Sequence, residues 1–422
     1  MRNDSTQQAA ELAQTAQEYL SAGRRDVAEL YARGALETDP GAAAAWTLLA
    51  ELALALHRPE RAMAWLQRVI ELQPGNAQAA DLLRAAERVA PAAAPVGARY
   101  LLIREWSAGF WSDVDHVVVM CLLAELTGRI PVVWWGAQSR FSNDGAGNAW
   151  ERFFEPVSNS MLRELQKPSQ RVFPGKWQGR AFTARIPNRW TGAGSRLVGL
   201  ELLDRDEEVV ISDFHTGMNA LLPWLPASHE LARATLQQAY RHLVRKYLRP
   251  RPEIVAAVDR FAAANFADRF ILGVHFRGSD KVEEVSELEG MVAAYFPVIE
   301  ERLAARSDAG LFLLTDDARV RSIYEKRYAS RLLSTTVTRS SSNTGVHYMQ
   351  HADPAAIGTE VMIDTYLAAR CSEFVGLGYS NVSLYASYLK QWPAGSCVLL
   401  GSNAHHIWNA LVLLMDPPPG AD

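Results

Sequence analysis

The sequence predicts an α/β protein: two halves, each a parallel sheet flanked by helices, behind an all-α repeat domain. Three observations carry this. A 34-residue period runs through the first 89 residues. A Pro/Ala stretch, Ala90-Pro-Ala-Ala-Ala-Pro-Val-Gly97, then interrupts the helical pattern. From residue 99 onward, short apolar runs alternate with amphipathic stretches, the pattern of parallel strands joined by helical crossovers.

The period shows where Leu-Glu-Thr-Asp-Pro40 and Ile-Glu-Leu-Gln-Pro74 stand 34 residues apart, as do Ala28 and Ala62, and Leu12 and Trp46. That is the tetratricopeptide period, in which two helices pack and a proline ends the second. Ala28 and Ala62 are small where helices approach closely; Trp46, Leu49, Leu66 and Val69 fill the interior. Residues 1–89 thus hold two repeats and a capping helix, Ala77–Val89. Such repeats usually present an interaction surface, so a protein partner or self-association is expected. Residues 90–98 are the linker.

The N-terminal half, 99–250, opens with a strand at Tyr100–Ile103. A helix at Ser112–Thr127 follows, ended by Gly128, then strands at Pro131–Trp135 and Glu208–Ser212 and a helix at Ser228–Tyr247. The C-terminal half, 251–422, begins with a helix at Pro252–Ala264. It continues as strand Phe270–Phe276, helix Glu289–Ala304, strand Leu311–Leu314, helix Ala318–Tyr328 and strand Arg331–Ser334. Helix Ile357–Arg370, strand Glu373–Gly376, helix Asn381–Leu389 and strand Ser396–Gly401 complete it. Ligands of such sheets gather at the C-terminal ends of the strands, and two halves with a cleft between them suit two substrates.

Bulk properties exclude several classes. A net charge of -4 gives no support to nucleic-acid binding. Three widely spaced cysteines, without a C-x-x-C, argue against a disulfide framework or zinc site. The start, MRNDSTQQAAELAQ, lacks the apolar core of a secretory signal. The longest apolar run, Val117–Ala124, is far short of the roughly 20 residues that span a bilayer. A cytoplasmic protein is expected, with room for peripheral attachment to the inner membrane.

Candidate chemistry begins at Ile271-Leu-Gly-Val-His-Phe-Arg-Gly-Ser-Asp-Lys281, where an apolar strand breaks into four ionisable groups. Alternation projects His275 and Arg277 together. The planar fork of Arg277 suits a phosphate, Lys281 adds a second cation, and Asp280 can orient either. This is what a diphosphate leaving group needs without a metal. Glu283 and Glu284 are either a solvated loop or a general base for a hydroxyl. In Thr315-Asp-Asp317, Asp316 or Asp317 caps the next helix or contacts a nucleotide's base or ribose. Glu360 and Asp364 share a helix face. In Phe374-Val-Gly-Leu-Gly-Tyr-Ser-Asn381, a strand-to-helix turn offers backbone N–H groups, with Ser380 and Asn381 as added donors for an anion. Asp113-Val-Asp115 sits at a helix start, where acids are favoured by the dipole; it reads as structural or acceptor-side rather than as a metal site, and His116 follows it. No dinucleotide fingerprint or Walker A sequence occurs.

The second block resembles the GDP-fucose-dependent fucosyltransferases of the α1,6 type, including the rhizobial nodulation enzyme, and more broadly the protein O-fucosyltransferases. Gly273-Val-His-Phe-Arg-Gly-Ser-Asp-Lys281 is similar to the family's Gly-Val-His-Val-Arg-Arg-Thr-Asp-Lys. Thr315-Asp-Asp317, Thr344-Gly-Val-His347, Asp364 with Glu373–Gly376, and Ser380-Asn381 follow in the family's order. In the first half, Gly109-Phe110-Trp111-Ser-Asp113-Val-Asp-His116 resembles the glycine-rich turn that opens these enzymes. The resemblance implies a GT-B-like fold, an inverting mechanism, no metal and no cofactor beyond the GDP-sugar substrate. It places Arg277 on the β-phosphate, and His275, Asp280, Asp316, Asp317, His347, Asp364, Ser380 and Asn381 around the donor. Lys281 and a nearby glutamate serve the acceptor hydroxyl of a glycan or protein. Phe110, Trp111, Asp113 and His116 fall on the acceptor side. Two departures stand out. The family's second arginine is Gly278, and the glutamate closest to Lys281 is Glu284, with Glu283 and Glu287 competing as base. Two alternatives follow: a non-catalytic repeat-bearing adaptor with a GDP-sugar-binding fold, or a transferase of another nucleotide sugar.

Overall fold

A computed structural model describes residues 2–89, 97–143, 147–167, 169–186, 202–203, 205–212, 216–226, 228–267, 269–278, 288–304, 306–351 and 353–401. Asp280, Lys281, Glu283, Glu284, Glu287 and most of the linker lie outside the described residues.

Five helices form the repeat domain: α1 (Arg2–Ser21), α2 (Arg25–Thr38), α3 (Ala43–Ala55), α4 (Pro59–Leu72) and α5 (Ala77–Ala86). The alanines expected at close approaches, Ala28 and Ala62, are fully buried, as are Leu66 and Val69. Pro59 starts α4 where its missing N–H costs nothing, and the Asn76 side chain caps α5 by accepting from Ala79 N. The repeats dock on the next unit through α2 and α4. Trp224 Nε1 donates to buried Glu29 at 2.6 Å, and its ring meets Trp65 edge-on at 5.4 Å. Arg58 donates to Leu126 O at 3.2 Å.

The first α/β unit contains β1 (Tyr100–Arg104), α6 (Phe110–Thr127), β2 (Ile130–Trp134), the short α7 (Leu162–Leu165), β3 (Val172–Phe173), β4 (Val209–Ser212), the short α8 (Met218–Leu221) and α9 (Leu236–Tyr247). Its sheet is wholly parallel in the order β2-β1-β4-β3. β1 is buried along its whole length, as a central parallel strand covered on both faces must be. Gly128, at φ +61°, ends α6 in the left-handed conformation that lacks a Cβ penalty.

The second unit follows with α10 (Pro252–Asn265), β5 (Ile271–His275), α11 (Leu288–Ala304), β6 (Gly310–Leu314), α12 (Ala318–Tyr328), β7 (Leu332–Leu333), α13 (Pro354–Arg370), β8 (Glu373–Leu377), α14 (Asn381–Tyr388) and β9 (Cys397–Leu400). The parallel order is β7-β6-β5-β8-β9. The chain runs outward from β5 to β7, then returns to lay β8 on the other side of β5. The switch point therefore falls between β5 and β8, where a crevice opens at the C-terminal strand ends. In the first sheet the corresponding switch lies between β1 and β4.

Several elements differ from expectation, two of the boundaries for local reasons. The helix expected from Ser228 starts at Leu236, because Thr235 and Gln238 form a capping box there. The one expected from Ile357 starts at Pro354, capped by Asp353 accepting from Ala356 N. The strand β3, two residues at a sheet edge, was not expected at all.

The two units meet where α6 packs on α13 and α14. Trp111 stacks on Tyr385 at 4.6 Å and donates Nε1 to Thr365 Oγ1 at 2.8 Å. Tyr385 OH donates to Asp115 Oδ1 at 3.2 Å. Phe110 sits edge-on against Trp135, Phe141 and Phe153. A Cβ on Gly358 would stand 2.7 Å from Phe153, so α13 can approach this cluster only with glycine there. Among the described residues no helix is long and apolar enough to cross a membrane.

Candidate functional site

The crevice between β5 and β8 is built from the strand end outward. His275, the last residue of β5, is 4% exposed. Its Nδ1 lies 2.6 Å from Ser383 Oγ, which also accepts from Leu377 N at 2.8 Å. With that N–H on its lone pair, the Ser383 hydroxyl can donate to Nδ1, which puts the ring hydrogen on Nε2. Burial pushes the imidazole pKa down to about 3, and the Arg277 charge pushes the same way, so His275 is neutral near pH 7. Gly376 makes the contact possible: a Cβ there would stand 2.5 Å from Ser383 Oγ.

Next along the chain, Arg277 points its Nε toward Asp316 Oδ2 at 3.9 Å, and Gly278 N donates to Asp316 Oδ1 at 3.4 Å. The neighbouring Asp317 does something else. It is buried and caps α12 by accepting from Arg319 N and Val320 N, with the Arg319 guanidinium on the same carboxylate. Burial raises its pKa, but the Arg319 and Val320 contacts outweigh that and leave it below the usual value. Of the two readings of Thr315-Asp-Asp317, Asp317 is therefore the helix cap and Asp316 the group facing Arg277. The same carboxylate explains Gly278: a Cβ there would lie 2.9 Å from Asp317 Oδ2 and 3.0 Å from Val320 Cγ2. The position has no room for the arginine of the resembling motif.

Asp364 sits on the inner face of α13 and is buried. Thr335 Oγ1 donates to it. Burial lifts its pKa to about 7 and Glu360 adds to the rise, while Thr335 and Arg339 pull the other way. Glu360 accepts from Thr338 N at 2.8 Å, so the two carboxylates four residues apart together fasten the segment that follows β7. Ser340, the end of that segment, donates its N–H to Asp316 O at 2.7 Å and accepts from Ala318 N at 2.8 Å.

The last component is the N-terminus of α14. Ser380 is its N-cap residue, yet the side chain makes no capping bond. Ser380 is fully buried and its Oγ has no hydrogen-bond partner among the described residues. A buried hydroxyl left unmet beside uncapped helix N–H groups costs stability, unless something bound there supplies acceptors. Asn381 is half-buried in the first turn.

The first unit distributes its expected residues differently. Phe110 and Trp111, expected on the acceptor side, are core residues of the seam just described, consumed by ring packing. Asp113 is buried and accepts from Ala108 N at 2.9 Å and Ser107 N at 3.3 Å, holding the loop after β1; burial raises its pKa to about 7. His116 is buried with Nε2 3.0 Å from Ser212 Oγ. His347 lies at the seam, 3.8 Å from the position of a Cβ on Gly109. Sequence reasoning missed Arg104 and Glu105, a buried ion pair of 3.1 Å at the end of β1. Arg104 also lies over the Trp177 ring at 4.6 Å, and Glu105 accepts from Gly136 N at 3.1 Å. Two adjacent opposite charges ending an apolar strand were the available signal, the same signal that drew attention to β5. Among the described residues no group of three or more His, Cys, Asp or Glu is placed to hold a metal ion.

Residues 14–77 match the tetratricopeptide repeat family. No curated protein matches the chain in sequence. Among solved structures, the NodZ α-1,6-fucosyltransferase co-crystallised with GDP, a protein also solved from Bradyrhizobium, is 19% identical with a TM-score of 0.45, over 69% of this chain and 92% of that one. A FUT1 variant of Arabidopsis thaliana in complex with GDP is 11% identical with a TM-score of 0.45, over 72% of this chain and 73% of that one. POFUT1 in complex with GDP-fucose is 14% identical with a TM-score of 0.45, over 74% of this chain and 99% of that one.

Proposed function

We propose that the chain is an inverting, metal-independent glycosyltransferase that moves a sugar, L-fucose from GDP-fucose, to a hydroxyl of a glycan or protein. The observation that carries this is the unmet Ser380 hydroxyl at the uncapped start of α14, in the same switch-point crevice as His275 and Arg277. Sequence motifs more than a hundred residues apart thus meet where an open α/β sheet binds its ligand. The diphosphate supplies the acceptors that Ser380 and the α14 N–H groups lack. Arg277 turns its fork to the β-phosphate, and Lys281, the second cation of the same motif, adds charge beside it. Neutral His275 and buried Asp364 complete the nucleoside side, with Asp280, Asp316, His347 and Asn381 around it.

In the reaction the acceptor oxygen bonds to the sugar C1 as the C1–O bond to the diphosphate breaks. The departing GDP keeps the electron pair, and its growing charge is met by Arg277, Lys281 and the helix N-terminus. The acceptor proton passes to a carboxylate, Glu284 by the resemblance, with Glu283 and Glu287 as rivals. The reading includes a cytoplasmic site of action, supported by three unbridged cysteines. The repeats supply a surface for a protein partner or self-association. The test is GDP release from GDP-fucose by the purified full chain. Release that falls at least a hundredfold in Arg277→Ala supports the reading; absence of both turnover and GDP binding in the wild type overturns it.

A second reading rests on Gly278. A crevice sterically closed to a second arginine fits an adaptor that binds a GDP-sugar without transferring it. GDP binding with no turnover of GDP-fucose or GDP-mannose would select it. Turnover of another nucleotide sugar alone would redirect the donor assignment.

A further inference from the structure

We propose that Arg319 supplies the second guanidinium of the diphosphate site, the one that position 278 has no room to carry. This rests on the glycosyltransferase reading and adds a phosphate-binding residue to it. A diphosphate offers oxygens to more than one guanidinium fork, and Gly278 stands where the resembling motif has its second arginine. A Cβ on Gly278 would lie 2.9 Å from Asp317 Oδ2, and Arg319 Nη2 donates to that same oxygen at 2.5 Å. The Arg319 guanidinium therefore lies where a side chain at 278 would lead. It arrives from the first turn of α12 instead of from the loop after β5.

Two consecutive acids at the end of β6 thus face two arginines, with Gly278 running beside both. Asp316 faces Arg277 across 3.9 Å and takes the Gly278 N–H, while Asp317 takes Arg319. Asp317 already accepts from Arg319 N and Val320 N as the cap of α12. Those helix N–H groups share its charge, so the guanidinium is not fully neutralised by it. Arg319 is also held still. Its Nε donates to Asp317 Oδ1 at 3.0 Å, its Nη1 to Asn343 Oδ1 at 3.3 Å and its Nη2 to Ser342 O at 3.3 Å. Ser342 and Asn343 follow Ser340, which the Asp316 and Ala318 backbone bonds pin to the end of β6.

Yet half of the Arg319 side chain, 50%, is open to solvent. A half-exposed ion pair adds little stability, and fixing so long a side chain costs rotamer entropy. A guanidinium clamped on three partners at the rim of a crevice is better explained as a cation made ready for an anion. The neighbouring arginines are occupied differently: Arg321 pairs with Glu325 at 3.2 Å, and Arg339 donates to Val337 O and Thr335 O. Because β6 lies across β5 from β8, Arg319 stands on the far side of the β5 strand end from the start of α14. It therefore meets the β-phosphate rather than the phosphate nearer Ser380.

The experiment titrates the full chain with GDP and with GMP, which differ by the β-phosphate, for wild type, Arg319→Gln and Arg319→Ala. The proposal expects the wild type to prefer GDP, and both variants to lose about tenfold in GDP affinity while GMP affinity holds within about twofold. Arg319→Gln keeps donors for Asn343 and Ser342 without the charge, and its melting temperature without nucleotide should match that of the wild type. Arg319→Lys, a charge without the fork, should recover only part of the GDP affinity. Equal GDP affinity in wild type and Arg319→Gln overturns the proposal, and so does an equal loss of GDP and GMP, which marks a role in shape alone. In both cases a wild type that binds GDP leaves the donor reading standing. A wild type that binds neither nucleotide sinks the donor reading and this assignment with it.

Discussion

The two sheets carry equivalent crevices at their switch points, and the chain treats them in opposite ways. Between β1 and β4, the buried charges find partners inside the protein. Arg104 and Glu105 pair, Ser212 Oγ accepts from Arg104 N and meets His116, and Glu105 takes the Gly136 N–H. Between β5 and β8, the Ser380 hydroxyl is unmet among the described residues, α14 has no side-chain cap, and Arg277 faces Asp316 across 3.9 Å. A crevice closed by its own side chains stabilises the fold. One left short of acceptors is built for an anion that arrives from outside.

The sharpest way to break this comparison is to remove one arginine from each crevice. Arg104→Ala strands Glu105 as a buried charge and should cost about 3–5 kcal/mol, read as a large fall in the denaturant midpoint. Arg277→Ala should cost less, about 1 kcal/mol, because the 3.9 Å pair with Asp316 is longer and less buried than Arg104–Glu105. Equal losses would erase the distinction. A smaller effect comes from Gly278→Ala, where the added methyl meets Asp317 and Val320; about 1–3 kcal/mol of destabilisation is expected. Gly278→Arg, which restores the resembling motif, should cost at least as much and should not tighten GDP binding. Smaller still is Ser380→Ala. Deleting an unmet buried hydroxyl should leave stability level or raise it by about 1 kcal/mol, yet weaken GDP binding about tenfold. A drop in stability would show that the hydroxyl is satisfied within the fold.

The mildest test uses pH. Asp113 in the first unit has its pKa raised to about 7 in the folded state, so its contribution is fully present below its unfolded value and is lost as pH rises through about 7. His275 in the second is lowered to about 3, so its contribution is present above its unfolded value near 6.5 and is lost as pH falls toward 3. Asp113→Asn should flatten the loss of stability on the way up to pH 7, and His275→Gln should flatten the loss on the way down. Denaturant midpoints across pH 4–8 give both slopes; the same sign in both variants would refute the assignment.

How legible all this is in the sequence depends on whether the cause is local. The repeat period, the apolar approach to His275 and the strand-to-helix turn at Ser380 are written in consecutive residues, and they stand where the spacing predicts. The Asp316/Asp317 ambiguity is one that sequence cannot resolve, because both residues cap plausibly; the N–H groups of Arg319 and Val320, which both point to Asp317, decide it. Phe110 and Trp111 fall on the acceptor side by the resemblance of the Gly109 turn alone. Their burial depends on α13 and α14, about 250 residues away along the chain. The Arg104–Glu105 pair ends a strand of ordinary appearance, and its closure depends on Trp177 and Gly136, supplied from elsewhere in the first unit.

The most direct measurement of the central claim is thermal unfolding of the full chain with and without GDP, for wild type and Arg277→Ala. At a hundredfold excess over its dissociation constant, a ligand of the folded state adds about 2.7 kcal/mol. The account predicts that protection in the wild type and its loss in Arg277→Ala, with nearly equal melting temperatures when GDP is absent. Equal protection of both proteins by GDP would contradict it.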